Sequence, residues 1–156
     1  MGRFNTEHAA ALIRAARADA GLTQAVLAAR AGLRQPSLAQ MESGTRPVSD
    51  EMLERVLAAA DYRPSVPLAQ HAAMIRESAA AHGLDDVRVF GSVVRGEDGY
   101  GSDVDLLVTP RDGADLLDLA LFVDEAEAVL GFPVDAVSDV ELPEVLADVV
   151  AEAVPL

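Results

Sequence analysis

The sequence predicts two domains, an all-α helix-turn-helix bundle followed by an α/β domain built on a small mixed sheet. Three observations predict this. Apolar residues recur at helical spacing, with glycine stops, through about residue 63. Beyond residue 67, helical stretches alternate with short apolar runs of strand length. The charge is also divided. Residues 1–63 carry 8 Arg against 7 acids, and residues 64–156 carry 4 Arg against 19 acids, within a chain of net charge −14. Such asymmetry points to halves with different partners.

Composition narrows the chemistry. The chain has 156 residues, 51% hydrophobic but only 4% aromatic, so its core must be built mainly from Ala, Leu and Val. Cysteine is absent, which excludes disulfides and thiolate zinc sites. His8, His71 and His82 have no ligand-like spacing. No run resembles a signal peptide or a membrane span, and the expectation is a cytoplasmic protein without a membrane partner.

In the first half, Thr6 is placed to cap a helix running to Asp19, with Ala9, Leu12, Ile13 and Ala16 on one face. Gly21 ends it. Thr23 caps a short second helix that stops at Gly32, and a third spans about Pro36–Glu42 before Gly44. A fourth follows Ser49, with Leu53, Val56, Leu57 and Ala60 as its stripe. Two short helices about a glycine turn, braced by longer ones, form the helix-turn-helix pattern.

The wording A-G-L-T-Q-A-V-L-A-A-R-A-G-L-R-Q-P-S-L-A-Q-M-E-S-G-T-R-P resembles the Cro and phage-repressor (XRE) family over about Leu12–Ala60. The landmarks are Thr23-Gln24, Ala28, Gly32, Gln35-Pro36-Ser37, Met41-Glu42 and Ser43-Gly44. In that family the third helix enters the major groove. The resemblance implies that Gln24 contacts phosphate and that Gln35, Ser37 and Gln40 reach bases, glutamine being able to bond adenine bidentately. Arg34 replaces the usual small N-cap residue; with Arg46 it is a phosphate-contact candidate. A net charge of only +1 implies weak non-specific affinity, so operator DNA is expected to be bound by a homodimer. A four-helix bundle with merely solvated polar residues is the alternative.

Tyr62–Pro67 contains two prolines and no helical periodicity, which predicts an extended hinge, with the linker at 64–67. A helix is expected over Leu68–His82, strands over Val87–Phe90, Val104–Val108 and Pro133–Val137, and a long helix over Ala114–Leu130. A closing helix is expected over about Leu142–Ala153.

The chemistry gathers in Phe90–Val108. Gly91-Ser92 can offer backbone N–H groups and a hydroxyl to phosphates, with no Cβ in the way at Gly91. Asp103 and Asp105 alternate onto one face of a strand. Adjacent carboxylates raise each other's pKa unless a cation intervenes, and Mg²⁺ favours such oxygen donors. Asp135 sits in the next apolar run, completing a set of three acids that could hold two metals for phosphoryl chemistry. Arg95 is the nearby cation, either a triphosphate ligand or a surface charge. Glu97, Asp98, Asp112 and Asp115 read as solvated or helix-capping acids, and Tyr100 is placed where it could stack on a nucleotide.

Gly91-Ser92, ten residues, then Asp103-x-Asp105 looks like the signature of the polymerase-β-type nucleotidyltransferases. Arg95-Gly96-Glu97 and Ser102–Leu106 are similar to the minimal (MntA-like) branch, and the likeness extends over Leu68–Leu156, including Val134-Asp135 and Glu152–Leu156. It implies that Ser92 binds phosphate, that Asp103, Asp105 and Asp135 form the Mg²⁺ and catalytic set, and that ATP is the nucleotide. Many members of that branch are antitoxins paired with HEPN-type ribonuclease toxins, some of which they inactivate by transferring AMP to a tyrosine. An attached XRE-like domain is consistent with an antitoxin that also represses its own operon. Two alternatives remain: a DNA-binding regulator whose second domain only holds a toxin or senses nucleotide, and a small-molecule nucleotidyltransferase of the aminoglycoside-modifying kind. The short chain leaves little room for the latter's substrate pocket.

Overall fold

The computed structural model describes residues 2–140 and 142–156. Four helices build the first half: α1 (Ala9–Asp19), α2 (Gln24–Arg30), α3 (Gln35–Ser43) and α4 (Asp50–Ala59). The Thr23 and Ser49 hydroxyls accept from the Val26 and Met52 N–H groups, satisfying orphan donors of α2 and α4. At the start of the chain, Asn5 rather than Thr6 does the capping. Its side chain accepts from Glu7 N–H and opens a 3₁₀ turn, Thr6–His8, ahead of α1. Ile13, Leu27, Leu38, Leu53, Val56 and Leu57 meet in a fully buried core.

The second half is a mixed sheet with helices packed on it. Its elements are α5 (Ser65–Ala81), β1 (Leu84–Phe90), α6 (Ser92–Arg95), β2 (Val104–Pro110), α7 (Leu116–Leu130), β3 (Val134–Ser138), α8 (Ala147–Glu152) and β4 (Val154–Pro155). Strand order is β3-β2-β1-β4, with β2 and β3 parallel and the other pairs antiparallel. Val104, Leu106, Leu107 and Val108 are fully buried, which makes β2 the central staple of the sheet. The closing helix is shorter than expected. Glu144–Leu146 is a 3₁₀ turn, and only Ala147–Glu152 is α-helical. Residue 141 lies outside the described residues.

The hinge reading is corrected. Residues 64–67 are not an extended linker; Ser65–Pro67 form the first turn of α5 and Pro64 is its N-cap. A first turn has no intrahelical acceptor for its N–H groups, so Pro67 gives up nothing there. The Ser65 N–H left over in that turn is taken by Asp98 Oδ2 at 2.8 Å. Asp98 is therefore a buried cap and not a solvated loop acid; Arg63 Nη1 lies 3.7 Å from its other oxygen.

The two halves share one core. Phe4, Tyr62, Tyr100 and Phe132 pack with ring centroids 5.5–6.4 Å apart, and the Arg3 guanidinium lies over three of these rings. Gly131 makes the junction possible. A Cβ there would stand 2.5 Å from Phe4 Cδ1, and its φ of +73° suits the C-cap of α7. Tyr62 is buried, and burial first, then the Asp19 charge, push its hydroxyl up to about 12. Tyr100, expected near a nucleotide, belongs to this aromatic junction instead.

Candidate active site and nucleic-acid interface

At the Gly91-Ser92 loop, β1 ends in Phe90 and turns at Gly91 into the single turn of α6. Gly91 has φ +74° and ψ −148°, and a Cβ there would lie 2.2 Å from Asp105 Oδ2. Two independent constraints thus require glycine: the backbone conformation and the close approach of a carboxylate. Ser92 follows as the first residue of α6.

Asp105 is the centre of the site. Its Cα pairs with Phe90 on β1 and with Asp135 on β3, so the two acids are direct neighbours across parallel strands. Burial first, then the charges of Asp135 and Asp103, hold its carboxyl above the usual carboxylate range, with Arg95 pulling the other way. Asp103 stands exposed, one residue ahead of β2. Among the described residues, no three His, Asp or Glu side chains converge closely enough to grip a cation as a set. The donor chemistry still fits Mg²⁺, since every candidate ligand is a hard oxygen and the crowding on Asp105 is what a cation relieves.

Arg95 is held by two carboxylates: Nε donates to Glu97 at 3.0 Å and Nη1 to Glu152 at 2.7 Å. Glu97 is thus an ion-pair partner of the loop arginine. Glu152 also accepts weakly from Gly91 N–H at 3.4 Å. Sequence reasoning missed Glu152 as a site residue because it lies 57 positions from Arg95 and no local pattern joins them. Asp115 does cap a helix, forming a reciprocal capping box with Asp118 at the start of α7. Asp112 is exposed.

In the first half, Gln35 opens α3 and Ser37 and Gln40 follow on it, with Arg34 as an N-cap residue that makes no capping bond. Arg34, Gln35, Gln40 and Arg46 are exposed, and Gln24 and Ser37 half-buried. The glutamines are organised by a residue that the sequence did not single out for function. Glu42 is buried, and its oxygens accept from Arg17 Nε at 2.6 Å and Nη2 at 3.2 Å and from Gln24 Nε2 at 2.9 Å. Gln24 Oε1 in turn accepts from Gln35 Nε2 at 3.0 Å. Burial alone pushes the Glu42 carboxyl up, but the Arg17 and Gln24 hydrogen bonds outweigh it and hold it below the usual range.

Residues 73–154 match the family model described as a nucleotidyltransferase domain, and residues 13–66 match one described as helix-turn-helix. The chain belongs to the nucleotidyltransferase family. The fusion read in the sequence, an XRE-like helix-turn-helix ahead of a nucleotidyltransferase domain, therefore stands. A Methanocaldococcus jannaschii protein, provisionally named a protein adenylyltransferase, is 39% identical over 67 residues, covering 43% of this chain and 72% of the relative. A solved structure provisionally described as a minimal nucleotidyltransferase is 43% identical, with a TM-score of 0.53, and covers 57% of this chain and 92% of its own. No described helix of the nucleotidyltransferase is long and apolar enough to cross a membrane.

Proposed function

We propose that this nucleotidyltransferase is an antitoxin-type regulator that transfers AMP from ATP to a partner toxin, a HEPN-type ribonuclease, and represses its own operon through its helix-turn-helix domain. The observation that carries the enzymatic half is the cross-strand pair Asp105–Asp135, with Asp105 packed against the glycine of the loop. Support also comes from the provisional name of the archaeal relative, a protein adenylyltransferase.

Asp103, Asp105 and Asp135 would hold Mg²⁺, which supplies charge neutralisation for the triphosphate and its leaving group. Gly91 N–H, Ser92 and Arg95 receive the phosphates. Asp135, the exposed member of the pair, accepts the proton of the acceptor hydroxyl. The hydroxyl oxygen then bonds to the α-phosphorus, and pyrophosphate departs with the electrons of the broken P–O bond. In a domain carrying −15, a bare triphosphate would be repelled, which is a reason for the site to use a cation.

On DNA, a homodimer places Gln35, Ser37 and Gln40 against base edges and Gln24, Arg34 and Arg46 against phosphates. The test of the enzymatic half mixes the protein, Mg²⁺, labelled ATP and the product of the neighbouring gene. Label should pass to that product with wild type and not with Asp103→Ala or Asp105→Ala; equal labelling by all three would defeat the reading. The DNA half requires a salt-sensitive, sequence-preferring mobility shift on the protein's own promoter.

A further inference from the structure

Glu152 approaches the phosphate loop from the end of α8, and the chain beyond it is tied down on both sides. Val154 pairs with Val89 and Pro155 with Arg88, so β4 lies on the edge of the strand that runs into Gly91. Leu156 N–H donates to Val87 O at 3.0 Å, and the Leu156 carbonyl accepts from Arg76 at 2.7 Å. This two-residue strand is too short to contribute much as sheet; what it does is fix the place of Glu152.

The placement has an electrostatic cost, because it brings a further acid towards Asp105, whose carboxyl already feels the charges of Asp135 and Asp103. Something must offset it. The Glu152 carboxylate spans two groups of the loop, Arg95 Nη1 at 2.7 Å and Gly91 N–H at 3.4 Å. Arg95 is 49% exposed, and a long side chain in that setting keeps much of its rotamer freedom unless it is held. Glu97 takes its Nε, but Glu97 is itself 66% exposed, whereas Glu152 is 28% exposed and anchored by β4.

We propose that Glu152 is a positioning residue, holding the Arg95 guanidinium and the Gly91 N–H in the arrangement that receives the phosphates of the nucleotide. What arrives there rests on the proposed function; the arrangement itself does not. Glu152→Gln keeps a carbonyl acceptor for Arg95, and Glu152→Ala removes it, so the pair separates positioning from charge.

The experiment uses the full chain and two readouts. The first is the ¹⁵N–¹H signals of Arg95 Nη1, the nitrogen that Glu152 holds, and of Gly91 N without nucleotide. Glu152→Ala should broaden the first towards solvent exchange and shift the second, while Glu152→Gln leaves both near wild type. The second is label transfer from Mg–ATP, where kcat should fall about tenfold or more in Glu152→Ala with a smaller change in KM, and Glu152→Gln should restore most of it. Unchanged Arg95 and Gly91 signals in Glu152→Ala would overturn the proposal whether or not the protein transfers nucleotide. So would faster turnover and a lower KM in both variants, which would make Glu152 a competitor of the phosphates. Wild type that transfers nothing defeats the proposed function instead, and the first readout still decides the role of Glu152.

Discussion

Asp105 and Asp135 stand opposite each other on parallel strands, and a Cβ at residue 91 would sit 2.2 Å from an Asp105 oxygen. Gly91→Ala therefore meets both a left-handed backbone and a carboxylate. It should cost about 1–3 kcal/mol of stability and remove nucleotide transfer. Denaturant unfolding and the labelling assay check the two effects separately.

Asp105 also predicts a pH signature. Its carboxyl is held above the usual range by burial first, then by Asp135 and Asp103. A raised acid favours folding below the unfolded value and loses that contribution as pH rises through the folded one. At neutral pH without divalent cation, Asp105→Asn should thus be more stable than wild type, and the gap should close as the solution is acidified below the ordinary carboxylate range. Adding Mg²⁺ should raise the Tm of wild type and not that of Asp105→Asn.

Glu42 predicts the opposite sign. Its burial raises the pKa, but the bonds from Arg17 and Gln24 prevail and hold it low. Its stabilisation is present above the unfolded carboxylate value and is lost as pH falls through the depressed folded value. Glu42→Ala removes the carboxylate that Arg17 and Gln24 share, though Arg17 keeps its bond to Leu22 O, and should destabilise the protein by about 1–3 kcal/mol. Because Gln24 and Gln35 hang from the same network, thermal melts from neutral to acidic pH should be paired with a DNA mobility shift.

On DNA, Gln35→Ala should cost about 1–3 kcal/mol and relax preference at one base position. Arg46→Ala should weaken binding to all sequences alike and reduce the salt slope by about 1. Titrations on promoter and scrambled duplexes at several salt concentrations distinguish them.

The aromatic junction predicts one unfolding transition. Phe4 packs on Tyr62 within the first half and on Tyr100 and Phe132 of the second. Calorimetry should show a single cooperative peak in wild type. Phe4→Ala should remove about 3–5 kcal/mol and split or broaden that peak.

Much of this architecture was legible in the sequence because it is local. Thr23 and Ser49 cap where the periodicity starts, and Gly44 and Gly131 stop helices in the left-handed region. Alternation in β2 placed Asp105 on the sheet, and the structure adds its register with Asp135. What escaped is non-local. Pro64 and Pro67 gave the same signal in a helical first turn as they would in a linker, and the bond from Ser65 N–H to Asp98, 33 positions away, is one that no local pattern shows. Tyr100 was read from its neighbours in the loop, yet its partners are Phe4 and Phe132. Glu42 and Glu152 lie in stretches that match the two families, but no local pattern shows their role; each acts through an arginine distant in sequence.

In the proposed function, the acids around Asp105 serve to transfer a nucleotide to a partner protein. Intact mass spectrometry of the neighbouring gene product, after incubation with this protein and Mg–ATP, tests it most directly. The expected result is a mass increase of one or more whole adenylates that vanishes with Asp105→Asn and with EDTA. An unmodified partner under wild-type conditions, or the same increase with Asp105→Asn, would contradict it.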